Sequence, residues 1–508
     1  MRVPPQAVYP VLVMAGIQYQ NLDRTKSFSR LKKASPFDVT TLTPERVTQM
    51  QLPIAAGLTF NYAATPVDDR VLGELQSLAE EQQLSDKYRN IFEGEIMNTG
   101  EERMVLHHLL RGRLGRDVAS GTVNQRAFYQ EQQQRVQSFA DGIRSGRITA
   151  PNGQPFTSVI QIGIGGSDLG PRALYLALEP YVDTQVNKEL SGVGKEASGV
   201  IPARFISNVD PDDAAHVLRD VDVETALFVL VSKSGTTQET LTNEKLVADL
   251  AGKRLGRPFD PAAQTVAVTS QTSPLARSDR YLDAFFIDDY IGGRYSATSP
   301  VGGVVLSVAF GPYVFERILK GAHEADRAAM EPSVANNATL LDALIGVYYR
   351  NVLDYPATAV LPYSQALHRF PAHLQQLDME SNGKSVNRDG EPVNYQTGPV
   401  VFGEPGTNGQ HSFYQLLHQG TAVIPLQFIG FIGSQREQDT EFQDSTSQTK
   451  LNANLAAQIV AFATGLEHEN PNKAFAGGRP SSVITGDRLV PEALGALLAH
   501  YENKVMFQ

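Results

Sequence analysis

The chain has 508 residues, 42% of them hydrophobic and 19% charged, the balance of an ordinary globular protein long enough to bury a large core. It has no cysteine, which excludes disulfides, thiolate nucleophiles, iron–sulfur clusters and cysteine-bound zinc, and fits a reducing compartment. A formal net charge of −11 leaves no broad basic face for nucleic acid, so an anionic ligand must be drawn by local donors.

The stretch from Met1 to Gly16 holds one arginine and an apolar run broken by Pro10, which is not the layout of a secretory leader. Residues 1–150 read as an N-terminal helical region, with helix formers at apolar spacing over 71–83 and 125–144. From 151 to 310 short apolar runs alternate with amphipathic stretches. Strands are expected at 156–163, 203–208, 227–231, 265–269 and 284–287, with helices at 168–178, 211–220 and 237–251. This alternation means a doubly wound parallel sheet. A second α/β unit is expected over 311–480, followed by a C-terminal helix over 481–508. The longest apolar runs, 301–315 and 422–433, fall short of the roughly 20 residues of a membrane span. They read as buried core, and the chain as a cytoplasmic protein without a membrane partner.

The best chemical signal is Ser232-Lys233-Ser234-Gly235-Thr236-Thr237, set between a buried strand and a helix. A helix start offers unpaired N–H groups and the positive end of the dipole, and ligands of doubly wound sheets bind beyond the strand ends. One hydroxyl there would be a cap; four hydroxyls with Gly and Lys point to a phosphate. The second loop, Gly163-Ile164-Gly165-Gly166-Ser167-Asp168, imitates a dinucleotide fingerprint but puts Asp168 where the third glycine belongs.

Together these loops resemble the sugar isomerase (SIS) domain, a phosphosugar-binding module. Four segments narrow the resemblance to the glucose-6-phosphate isomerase family: IGIGGSDLG at 162–170, GGRYS at 292–296, QQLDMESNGK at 375–384 and GEPGTNGQHSFYQLLHQG at 403–420. The resemblance runs in order from about residue 50 to the end. It implies an α/β fold of two SIS-type doubly wound parallel-sheet domains with extra N-terminal helices. It also implies aldose–ketose isomerisation of glucose 6-phosphate and fructose 6-phosphate, without cofactor or metal.

Carried over residue by residue, Gly166, Ser167, Ser232, Lys233, Ser234 and Thr237 match the phosphate site, and Gln376 a substrate contact. Glu380 matches the base that moves the proton between C2 and C1. Arg294 matches the group that stabilises the enediolate, and His411 the acid/base of ring opening. The family supplies that histidine from the neighbouring subunit, which implies a homodimer with shared sites. The family commonly has an aromatic residue where this chain has Gly235. In the family the chain also continues beyond the point matching Gln508, into a tail that carries a catalytic lysine and a glutamine; Lys504 aligns before that tail and is given no such role. A catalytically impaired sugar-phosphate-binding SIS protein therefore stands as the alternative reading.

Overall fold

The computed structural model describes residues 16–182, 199–277 and 279–508; most of the opening stretch read above for a leader lies outside them. In chain order the strands are β1 (Gln51–Pro53), β2 (Thr59–Asn61), β3 (Ala119–Ser120), β4 (Val123–Asn124), β5 (Ser158–Ile162), β6 (Ala203–Ile206), β7 (Ala226–Val231), β8 (Thr265–Ser270), β9 (Asp283–Ile287), β10 (Ala357–Tyr363), β11 (Val400–Phe402), β12 (Leu426–Phe431) and β13 (Ser481–Gly486).

The first sheet has the order β6-β5-β7-β8-β9, parallel throughout. Its central strands β5 and β7 are buried at every position, as expected of strands covered by helices on both faces. Strand order reverses between β5 and β7, so the loops that leave their carboxyl ends flank a topological switch point, where ligands of open α/β sheets bind.

The second sheet has the order β1-β2-β13-β12-β10-β11. Strands β10 to β13 pair in parallel, whereas β2 runs antiparallel to β13 and β1 antiparallel to β2. Two departures from the sequence reading follow. The region 1–150, read as helical, contributes β1 and β2 to this sheet; three-residue strands carry too short a period to be recognised. The stretch 481–508, read as one helix, opens with β13 before the helix Pro491–Phe507 begins.

Helices fill the space between the sheets. Pro300–Phe310 is buried along its whole length, which is why its sequence reads as a continuous apolar run. Gly311, at φ +95, ends it and lets Pro312–Ala328 leave in a new direction. Helix Pro491–Phe507 packs against Pro312–Ala328 so closely that a Cβ on Gly495 would lie 1.9 Å from the Ile318 carbonyl oxygen. Among the described residues no helix is long and apolar enough to cross a membrane.

Candidate active site

The loop after β5 forms one wall. Gly165 takes φ +60, and the Gly166 backbone lies against the Gly292–Arg294 segment: a Cβ on Gly166 would sit 2.2 Å from the Gly293 carbonyl carbon. Only glycine at 166 lets the two loops meet. Ser167 is half-buried. Its carbonyl accepts from Gln161 Nε2 at 2.6 Å, and among the described residues its hydroxyl has no hydrogen-bond partner.

The loop after β7 forms the next wall. Ser232 is buried, with its Oγ 3.0 Å from Thr237 Oγ1 and accepting from the Gly235 N–H at 3.1 Å. Thr237 stands at the N-cap of Gln238–Leu255, yet its side chain makes no capping hydrogen bond to that helix. The first-turn N–H groups are thus left available to an anion, next to exposed Ser234. Lys233 Nζ donates to the Ile291 carbonyl at 3.4 Å and lies 3.8 Å from Asp289, which ties this loop to the one carrying Arg294.

Gln376 and Glu380 lie on the helical stretch 370–382, which widens to a π-helical turn over Gln375–Met379, a distortion that recurs at functional sites. The Glu380 N–H bonds the Gln376 carbonyl, so the two side chains stand one turn apart on a common face. The Gln376 amide reaches the glycine loop: its Nε2 would be 3.3 Å from a Cβ on Gly165, and its buried Oε1 has no partner among the described residues. Lys384 Nζ donates to the Glu380 carbonyl at 2.7 Å and closes the end of the stretch.

Arg294 completes the assembly. Its Nη1 donates to Glu380 Oε1 at 3.1 Å, and its Nε donates to Ser381 Oγ at 2.5 Å. A carboxylate and a fixed cation thus share one point at the edge of the glycine loop. Tyr295 beside it is buried, and burial pushes its phenol up to about 12 against the opposing effect of Ser381.

The chain does not bring His411 into this group. It is exposed on the turn Asn408–His411, and among the described residues no hydrogen bond joins it to Glu380 or Arg294. Lys504 donates to Asp342 at 3.2 Å, inside the core. His418 is stacked on Phe462 with centroids 3.7 Å apart, a packing role. Ser381 escaped the sequence reading; its place directly after Glu380 was the available signal. Among the described residues no group of three or more His, Asp or Glu side chains is placed to hold a metal.

Known proteins share this arrangement at the level of the whole chain. The phosphoglucose isomerase family model matches residues 61–508. The glucose-6-phosphate isomerase of Treponema denticola is 54% identical over 502 residues, covering 97% of this chain and 92% of its own length. That of Desulfotalea psychrophila is 44% identical over 96% of this chain and 90% of its own. The crystal structure of a glucose-6-phosphate isomerase from Chlamydia trachomatis superposes with a TM-score of 0.87 at 42% identity, covering 96% of this chain and 91% of that one. With the glycine loop and the serine-rich loop at the switch point and the paired Arg294 and Glu380 beside them, these matches place the chain in the phosphoglucose isomerase family.

Proposed function

We propose that the chain interconverts glucose 6-phosphate and fructose 6-phosphate, a step of glycolysis and gluconeogenesis, by ring opening and enediol proton transfer. The observation that carries this reading is the 3.1 Å contact between Arg294 and Glu380 beside the glycine loop. Phosphate is held by Ser167, Ser232, Ser234, Thr237 and the free N–H groups at the start of Gln238–Leu255, with Lys233 adding charge. Anchored there, the sugar presents C1 and C2 to Glu380, and the anchoring energy is used to orient the reacting carbons. The Glu380 carboxylate takes the proton from C2 and returns it to C1, while the hydroxyl proton passes from O2 to O1, so the sugar gains and loses no proton overall. Negative charge that develops on the sugar oxygens faces the Arg294 guanidinium, which carries a fixed positive charge and several N–H donors. Gln376, whose buried Oε1 has no partner among the described residues, supplies a further polar contact. The retained base and cation support turnover over the binding-only alternative.

His411 is exposed and apart from Glu380, which supports its delivery to the ring oxygen of a neighbouring subunit's site. Ile432 and Phe442 are exposed apolar side chains that a second copy of the chain in a homodimer would cover. The lack of cysteine supports a cytoplasmic setting.

The test is conversion of fructose 6-phosphate followed through a coupled dehydrogenase. Glu380→Gln is expected to lower kcat by about 10²–10⁴-fold, the usual worth of a positioned base; turnover indifferent to this change refutes the assignment. Subunit sharing has its own measurement. Inactive Glu380→Gln and His411→Ala chains, denatured together and refolded, should regain about a quarter of the wild-type sites if each site draws Glu380 and His411 from different subunits. No recovery by a mixture that has formed dimers places both residues in one subunit.

A further inference from the structure

Glu380 and Arg294 face a conflict built into the reaction proposed above, on which this inference rests. In the resting site Arg294 is held by the charge of Glu380, through the 3.1 Å contact from Nη1. Once Glu380 has taken the C2 proton it is neutral, and the attraction that oriented the guanidinium weakens. At that moment the enediolate carries its charge and needs Arg294 most. An arginine tethered only to the base would be free to swing away during the half-cycle in which it works.

The structure supplies a second tether that does not change charge. Arg294 Nε donates to Ser381 Oγ at 2.5 Å, a short charge-assisted hydrogen bond to a neutral hydroxyl. Ser381 follows Glu380 on the same stretch, Glu380–Asn382, so base and tether move as one body. The fixed fork of guanidinium donors makes Nε a useful point of attachment: with it held, the plane of the group is set and the terminal nitrogens stay aimed at the site. Tyr295, which follows Arg294 in the chain, is itself fixed by packing on His107 with ring centroids 4.8 Å apart. Among the described residues Arg294 makes no other hydrogen bond; its guanidinium also lies over the Tyr295 ring, 5.6 Å from the centroid, a looser contact that does not fix the plane of the group.

We infer that Ser381 is a positioning residue that holds Arg294 against the enediolate while Glu380 is protonated. Its contribution is made in the transition state and not in the binding of the sugar phosphate. Removing it should lower kcat and leave KM nearly unchanged.

The experiment compares wild type, Ser381→Ala, Ser381→Thr, Arg294→Ala and the double variant Ser381→Ala/Arg294→Ala. Each is measured for kcat, KM, inhibition by inorganic phosphate, and inhibition by a sugar-phosphate hydroxamate that imitates the enediolate. Ser381→Ala is expected to lose about 10–100-fold in kcat, the range typical of partners that orient a working group. Affinity for the hydroxamate should fall in parallel, while inhibition by phosphate stays within about twofold. Ser381→Thr, which keeps the hydroxyl, should recover most of the loss. In the Arg294→Ala background Ser381→Ala should cost nothing further, since two residues acting as a unit are non-additive. Equal losses from Ser381→Ala with and without Arg294 overturn the inference, as does weakened phosphate inhibition in step with kcat. Unchanged kcat and hydroxamate affinity in Ser381→Ala overturn it too. The Glu380→Gln control separates these results from failure of the isomerase reading itself: if that variant retains full turnover, the base is misassigned; if it is dead while Ser381→Ala is unimpaired, only the tether is.

Discussion

Gly235 occupies φ +69, and a Cβ there would lie 2.1 Å from Ser273 Oγ and 3.2 Å from Leu275 Cγ. This chain departs here from the aromatic residue common in the family it resembles, and the turn Pro274–Arg277 packs against the glycine where such a side chain would start. Gly235→Phe should push that turn outward and drag Ser232 and Ser234 with it. KM for fructose 6-phosphate and the inhibition constant of inorganic phosphate should both rise roughly 10–100-fold, the equivalent of one or two lost charge-assisted hydrogen bonds. Steady-state kinetics checks this, and unchanged phosphate inhibition would show that the turn gives way freely. Gly166→Ala sets a methyl group against the Gly293 backbone and should separate the glycine loop from Arg294. A misplacement of about 1 Å costs about 10²-fold in rate, so kcat should fall on that order with the circular dichroism spectrum unaltered. At this scale the place of 232–237 between a buried strand and a helix is legible, because a run of hydroxyl residues with one glycine interrupts two regular patterns. The sequence is read poorly where a common residue acquires its role from a contact 87 positions away, as Ser381 does with Arg294.

Among the elements, Pro491–Phe507 shows how much the amino-acid pattern can conceal. Its charged and polar residues Glu502, Asn503 and His500 are fully buried, so no amphipathic face marks it as a core helix. They are paired instead: Arg111 binds Glu502 and, at 3.0 Å, Asp326, while Asn503 Nδ2 donates to Asp326 at 2.9 Å. His500 and Lys504 both reach Asp342. Burial pushes Asp342 up, but Lys504, His500 and Gln427 together hold it down at about 2. Arg111→Ala leaves two buried carboxylates without their cation and should destabilise the fold by about 3–5 kcal/mol, read as a lowered urea midpoint. Because Arg111 Nε also donates to Thr298 Oγ1 at 3.4 Å, the loss should reach the Arg294 segment and depress kcat as well. The parallel strands were legible, since β5, β7 and β8 are apolar runs between turn signals. Helix Ser447–Thr464 was not, because its first half, Ser-Gln-Thr-Lys-Leu-Asn-Ala-Asn, has the composition of a loop.

For the molecule as a whole, three buried histidines set the response to acid. Burial drives His373 down to about 4, and burial with Arg111 nearby drives His107 and His108 well below their ordinary value. All three are neutral when folded and take up protons when unfolded below about pH 6.5, so stability falls as pH drops below that point. Glu502 works the other way. Burial raises it to about 7 against the pull of Arg111, so its contribution to stability grows as pH falls from 7 toward the unfolded carboxylate value. Asp288, pushed up to about 6 by burial, and buried Asp326, also pushed up, act in the same sense as Glu502, so the decline owed to the histidines is partly offset and the urea midpoint should fall only gently from about pH 6.5 to about pH 5. Glu502→Gln removes one opposing contribution and should steepen the decline; a flat profile would show that the histidines admit water and protonate in the folded state.

The pairing of β2 with β13 sets Asn61 opposite Val483, across more than four hundred residues. During synthesis the early hairpin leaves the ribosome long before its partner exists, whereas the first sheet, spanning 158–287, is complete once its last strand has emerged. One half of the protein can therefore assemble while translation continues. The other half keeps an unpaired strand edge waiting for nearly the entire length of the message, and that edge is where nascent-chain chaperones would be needed.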